Sequence, residues 1–158
     1  MNKTILDVCC GPKMMWFQKN NPAVLFVDKR RCEKGFMRTR PNCEVKPDIQ
    51  ADFRDLPFQD NSFSLVVFDP PHTIRARETR GIIAERYGRL VLSTWERDLA
   101  QGFNECWRVL KSNGTLIFKW SECDKKIDEI KHLFPGPVLF GTRVGKDNKT
   151  LWICFFKN

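Results

Sequence analysis

The residues best suited to chemistry in this 158-residue chain stand at the end of an apolar run. Val66-Val67-Phe68 gives way to Asp69-Pro70-Pro71-His72, and the chain then carries Arg75, Arg77, Arg80, Arg86 and Arg89. A carboxylate followed by two prolines has two readings: a turn that ends a buried strand, or the working end of an active site. Three other apolar runs end in comparable fashion. The first passes into Asp7-Val8-Cys9-Cys10-Gly11-Pro12-Lys13. There Gly11 would let backbone approach a ligand closely, and a short helix opening at Pro12 would offer N–H groups and a positive dipole end. The second run closes on Asp28, where a carboxylate can take both hydroxyls of a ribose. The third is followed by Ala51-Asp52-Phe53, able to offer a carboxylate to an adenine amine and a ring to its face. Together these residues could grip a nucleoside beside Asp69.

Such residues can meet only if the elements behind them bring strand ends together. Short apolar runs alternate with helical patterns, which is the signature of an α/β sheet with crossover helices. The patterning predicts seven strands: 4–8, 24–28, 49–53, 65–69, 115–120, 138–140 and 151–156. In an open parallel sheet, ligands bind outside the carboxyl ends of the strands near the point where strand order reverses. The strongest predicted helix runs from Trp95 to Leu110, with Trp95, Leu99, Phe103, Cys106, Trp107 and Leu110 on one stripe. Ser93 with Glu96 would cap it and Asn113-Gly114 would stop it. A second helix is expected from about Lys125 to Phe134, ending at Pro135-Gly136-Pro137. The segment from Thr73 to Ser93 has weak periodicity and many arginines, and is expected to be a long basic substrate loop.

The length suits one domain over residues 1–158. With neither a long apolar span nor a signal-peptide pattern, the expectation is a cytoplasmic protein with no membrane partner. Seven cysteines without paired spacing read as reduced thiols, and no metal site is expected. A net charge of +8 favours polyanions. That charge is concentrated: seven basic residues against two acidic ones between Lys29 and Lys46, and six arginines against three glutamates between His72 and Arg97. Such stretches are either solvated faces or phosphate-binding surfaces.

Over essentially its whole length the sequence resembles the class I S-adenosylmethionine-dependent methyltransferases. Ile5-Leu6-Asp7-Val8-Cys9-Cys10-Gly11 is similar to their cofactor loop, Val27-Asp28 to the ribose-binding acid, and Ala51-Asp52-Phe53-Arg54-Asp55-Leu56-Pro57-Phe58 to the adenine-contacting segment. Ser64 to His72 resembles the Asp/Asn-Pro-Pro-aromatic signature of the amino-group branch, nearest to small phage- and prophage-type proteins with Asp-Pro-Pro-His. The resemblance implies a Rossmann-like, seven-stranded, mostly parallel sheet with helices on both faces. It implies S-adenosylmethionine as cofactor, held by Asp7, Cys9, Cys10, Gly11, Asp28, Asp52, Phe53 and Asp69. It also implies catalysis by Asp69, Pro70, Pro71 and His72. Two positions depart from the pattern: the loop reads Cys9, Gly11, Lys13 where three glycines are usual, and His72 stands where Tyr, Phe or Trp is usual.

The implied reaction is methylation of an exocyclic amino nitrogen of a DNA or RNA base, adenine N6 first. An amine whose lone pair is delocalised into a ring is a poor nucleophile. Two acceptors aimed at its N–H groups, the Asp69 carboxylate and the Pro70 carbonyl, would favour the pyramidal nitrogen and the growing positive charge. Arg75, Arg77, Arg80, Arg86 and Arg89 would hold phosphates while the base is out of its stack. So small a chain is expected to work as a homodimer or beside a recognition partner subunit. The other readings are a protein amide or small molecule as acceptor, and a non-catalytic relative that grips nucleic acid or a partner.

Overall fold

The computed structural model describes residues 3–75 and 81–158. Its seven-stranded sheet is built from β1 (Ile5–Asp7), β2 (Val24–Asp28), β3 (Ile49–Gln50), β4 (Phe63–Phe68), β7 (Leu110–Ser121), β8 (Val138–Val144) and β9 (Thr150–Lys157), in the order β3-β2-β1-β4-β7-β9-β8. Two two-residue strands, β5 (Ile74–Arg75) and β6 (Leu90–Val91), pair with each other, flanking α1 (Ile82–Tyr87). β1 pairs in parallel with both β2 and β4, so the strand order reverses between β1 and β4. β9 runs antiparallel to β7 and β8, while β3, β2, β1, β4 and β7 are mutually parallel. The carboxyl ends of five strands therefore share one edge, as the strand-end acids require.

One face of the sheet packs against α2 (Trp95–Val109). Leu6, Val27, Val66, Phe68, Leu116 and Phe118 meet Leu99, Phe103, Cys106 and Val109 there. Gly102 permits this approach: a Cβ at that position would sit 2.6 Å from the Phe53 ring and 2.7 Å from Phe68. The helix starts at Trp95 as expected, but its cap is Thr94, whose hydroxyl donates to Asp98 Oδ2 at 2.8 Å, while Glu96 turns away to His132. It ends at Val109, and Asn113-Gly114 is no helix stop. Asn113 has φ +60, and a register shift opens at this point between β4 and β7. The Lys157 ammonium of β9 closes the helix end, donating to the carbonyls of Trp107 at 2.7 Å and Leu110 at 2.6 Å.

Two expected helices are replaced. Gly11 and Lys13 sit at φ +47 and +55, left-handed values that stop a helix from opening at Pro12, and the chain reaches β2 through turns. Trp16 from those turns covers the opposite sheet face, its ring edge-on to Phe26 at 5.4 Å. The expected helix over 125–134 is two 3-10 turns, Ile127–Glu129 and Lys131–Leu133, broken at the fully buried Ile130, whose φ of −120 is not helical. β8 is exposed along its whole length, with Leu139 and Phe140 in solvent at the sheet edge. Among the described residues no helix is long and apolar enough to cross a membrane.

Candidate active site

A cleft of about 910 Å³ lies over the carboxyl ends of β1, β2 and β3. Val8, Cys9, Asp28, Asp52 and Phe53 line it, and residues of α1, with Gly88 to Val91, face them. Asp28 is buried at its floor. The Gly11 N–H donates to its Oδ2 and the Arg30 N–H to its Oδ1, each at 2.8 Å, which fixes the carboxylate and leaves each oxygen a further lone pair. The Arg30 guanidinium reaches across the cleft to the last turn of α1, donating to the carbonyls of Glu85 at 3.1 Å and Arg86 at 3.0 Å. One residue thus ties the floor to the opposing helix.

Asp52 is more heavily engaged. Arg54 donates to it from Nε at 2.9 Å and Nη2 at 2.6 Å, and Lys29 Nζ lies 2.9 Å away. Arg54 Nη1 continues to the buried Asp98 at 3.1 Å. Partial burial pushes the Asp52 carboxyl up, but the hydrogen bonds from Arg54 and Lys29 outweigh it and hold the group below the usual carboxylate range. Phe53 packs against Phe68 with ring centres 5.4 Å apart and is almost wholly buried, so its rim is what meets the cleft.

Asp7 stands apart from the other acids, because it lines neither this cleft nor the cavity beside it. It is fully buried beneath the loop, taking N–H groups from Cys9 at 3.2 Å and from the Trp16 indole at 2.7 Å. Burial pushes its carboxyl up to about 7, against the pull of those two donors. Its part is to hold the turn after β1.

Beside the cleft is a smaller cavity of about 170 Å³, lined by Asp69, Pro70, His72, Lys119 and the Cys9-Cys10-Gly11 turn, with Tyr87 of α1 and Met14 and Met15 closing it. Cys9 and Tyr87 belong to both spaces, so the two adjoin. Lys119, which projects from β7, donates to Asp69 Oδ2 at 2.6 Å. His72 lies edge-on to Trp120 at 6.4 Å. Burial lowers its pKa below the ordinary imidazole value, with Asp69 pulling the other way and Lys119 adding to the drop.

The fold thus gathers Cys9, Asp28, Asp52, Phe53 and Pro71 at the cleft, and Cys9, Cys10, Gly11, Asp69, Pro70 and His72 at the cavity. The arginines separate: Arg89 lines the cleft, Arg86 lines a third groove, and Arg77 and Arg80 lie outside the described residues, as does the side chain of Arg75. The Thr73–Ser93 segment is not loop throughout, since it contains α1 and the β5–β6 pair. Lys119, Tyr87 and Arg30 escaped sequence reasoning. Lys119 had a signal, a lone cation in the otherwise apolar run Leu116-Ile117-Phe118-Lys119-Trp120.

The chain matches no protein-family profile and no curated protein. Solved structures do match. A protein of Pyrococcus horikoshii superposes with a TM-score of 0.63 at 17% identity, over 98% of this chain and 81% of that one. A TehB-like S-adenosylmethionine-dependent methyltransferase of Corynebacterium glutamicum gives 0.57 at 12%, over 99% and 81%. A methyltransferase of Methanosarcina mazei with the same dependence gives 0.52 at 10%, over 98% and 92%. The fold is that of the S-adenosylmethionine-dependent methyltransferases. Within that fold, the reversal between β1 and β4 puts Asp69 next to the Cys9-Cys10-Gly11 turn that follows β1.

Proposed function

We propose that this protein transfers a methyl group from S-adenosylmethionine to an exocyclic amino nitrogen of a nucleic-acid base. The observation that carries the reading is the contact between the two spaces: the Asp69 cavity adjoins, through Cys9 and Tyr87, the cleft that holds Asp28. The donor set of that cleft fits the cofactor, because Asp28 is pre-oriented by two backbone N–H groups and keeps acceptor capacity for a ribose diol. S-adenosylmethionine, when bound, supplies a sulfonium-activated methyl and keeps the S–C electron pair as it leaves as a thioether. Asp28 would hold the ribose, and the rim of Phe53 would meet the adenine. Asp52 would stand at the adenine end with its oxygens shared with Lys29 and Arg54.

Asp69 Oδ2 is taken by Lys119, so Oδ1 would accept one amine N–H and the Pro70 carbonyl the other, orienting the nitrogen lone pair towards the methyl. His72, kept neutral near pH 7 by burial, would lie against the base or take the proton released when the N–C bond has formed. The test is mass spectrometry of nucleosides from the DNA and RNA of cells making the protein. A methylated amino base, N6-methyladenine first, is expected with the unaltered chain and not with Asp69→Ala. No extra methylated base in either pool, with purified protein labelling neither DNA nor RNA, refutes the reading. The Lys119–Asp69 pair favours one second reading, a cofactor-binding relative that does not turn over. That relative would bind S-adenosylmethionine in calorimetry and label no acceptor of any class.

A further inference from the structure

A groove of about 740 Å³ runs between the turns after β1 and the 40–48 segment that leads into β3. It shares Gly11 and Met14 with the Asp69 cavity, so groove, cavity and cleft adjoin in turn. Five cationic side chains line it: Lys13, Lys19, Arg40, Lys46 and Arg86. Two acids join them, and one of these, Asp48, is engaged by Lys3 at 2.6 Å. Among the described residues none of the five cations makes an ion pair. Basic residues elsewhere do, as Lys29 does with Asp52, Arg108 with Glu105 and Arg143 with Glu122. Arg86 stands at the junction, its guanidinium 4.9 Å over the Tyr87 ring and its Nε buried without a hydrogen-bond partner.

Unpaired like charges around one concavity repel each other and favour a polyanion that supplies the missing charge. We infer that this groove is the phosphate track for a single strand of nucleic acid whose target base enters the Asp69 cavity. The inference rests on the nucleic-acid reading above, keeps Arg86 of the arginines after Asp69, and moves the rest of the backbone contact to the far side of Gly11. A single strand suits the geometry, because a base within a duplex cannot reach a buried pocket and a basic groove follows an unpaired backbone. It also gives the basic stretch between Lys29 and Lys46 a use, through Arg40 and Lys46.

The test measures binding of short fluorescein-labelled DNA and RNA oligonucleotides of one sequence by anisotropy across a salt series. It compares the full chain, the triple variant Lys19→Gln, Arg40→Gln, Lys46→Gln, and a control of equal charge, Lys126→Gln, Lys131→Gln, Lys146→Gln. S-adenosylmethionine affinity, taken by calorimetry on each, reports folding. The groove triple is expected to lose at least roughly tenfold in affinity at low salt. The slope of log affinity on log salt should fall by about 2, from three contacts at about 0.7 each. The control should keep most of both. Equal losses in the two triples, or binding that survives the groove triple, overturn the groove and leave the acceptor open. An unaltered chain that binds S-adenosylmethionine but neither oligonucleotide overturns the groove and the nucleic-acid reading together.

Discussion

Lys119 occupies one oxygen of Asp69 at 2.6 Å, so the side chain proposed to meet an amine is held from behind by an ammonium. If the ammonium orients the carboxylate, Lys119→Met leaves cofactor affinity unchanged and lowers the methyl-transfer rate by about 10- to 100-fold, the size expected for a misplaced group. Single-turnover labelling beside calorimetry checks this, and an undiminished rate would remove Lys119 from the reaction. Asp7 acts on stability instead. With its folded pKa raised from 3.8 to about 7, the folded chain binds the extra proton between those values, so its contribution is full below pH 4 and lost as pH rises through 7. That loss amounts to about 4 kcal/mol at most, at about 1.4 kcal/mol per unit. Asp7→Asn should therefore gain stability relative to the unaltered chain at pH 8 and none at pH 4, measured by urea unfolding. His72 has the opposite sign: its lowered pKa makes its contribution full above 6.5 and lost as pH falls below it. The residue type at position 7 was legible in the sequence. Its downward-facing role was not, because it depends on an indole nine positions on that only the folded turn brings within 2.7 Å.

The helix α2 was readable because Leu99, Phe103 and Cys106 repeat at helical spacing and all three are fully buried. The helix α1 was not, because it buries none of its residues and leaves Ile82 and Ile83 in solvent. What positions it is Arg30, 55 residues away in sequence. The turns after β1 hid for another reason. Pro12 is a good helix opener, and the left-handed backbone at Lys13 that defeats it has no marker in residue type. Gly102 ties α2 to the site. Gly102→Ala would gain about 1 kcal/mol in helix propensity, yet a methyl 2.6 Å from the Phe53 ring forces a shift that costs about 1–3 kcal/mol. The expected result is a net loss of stability together with weaker S-adenosylmethionine binding, since Phe53 lines the cleft. Calorimetry and thermal unfolding of this one variant read both.

At the scale of the molecule, the sheet order made the strand ends converge, which is why Asp28, Asp52 and Asp69, spread over about forty positions, could be read together from sequence. Ligand binding to the folded state alone should raise stability by about 2.7 kcal/mol at a hundred times the dissociation constant. For a chain of this size that is a rise in Tm of roughly 5–10 °C, expected with S-adenosylmethionine and expected to be lost in Asp28→Ala, which removes the carboxylate proposed to hold the ribose. The place of β9 has a consequence for synthesis. It lies between β7 and β8 and carries the lysine that closes α2, yet it is the last of the sheet strands to leave the ribosome. Until Thr150–Lys157 emerges, the twelve-residue β7 has an open edge and β8 has no neighbour. A nascent chain halted before Thr150 would present the open edge of β7 and an unpaired β8 to its surroundings, and folding competes with aggregation over those few codons.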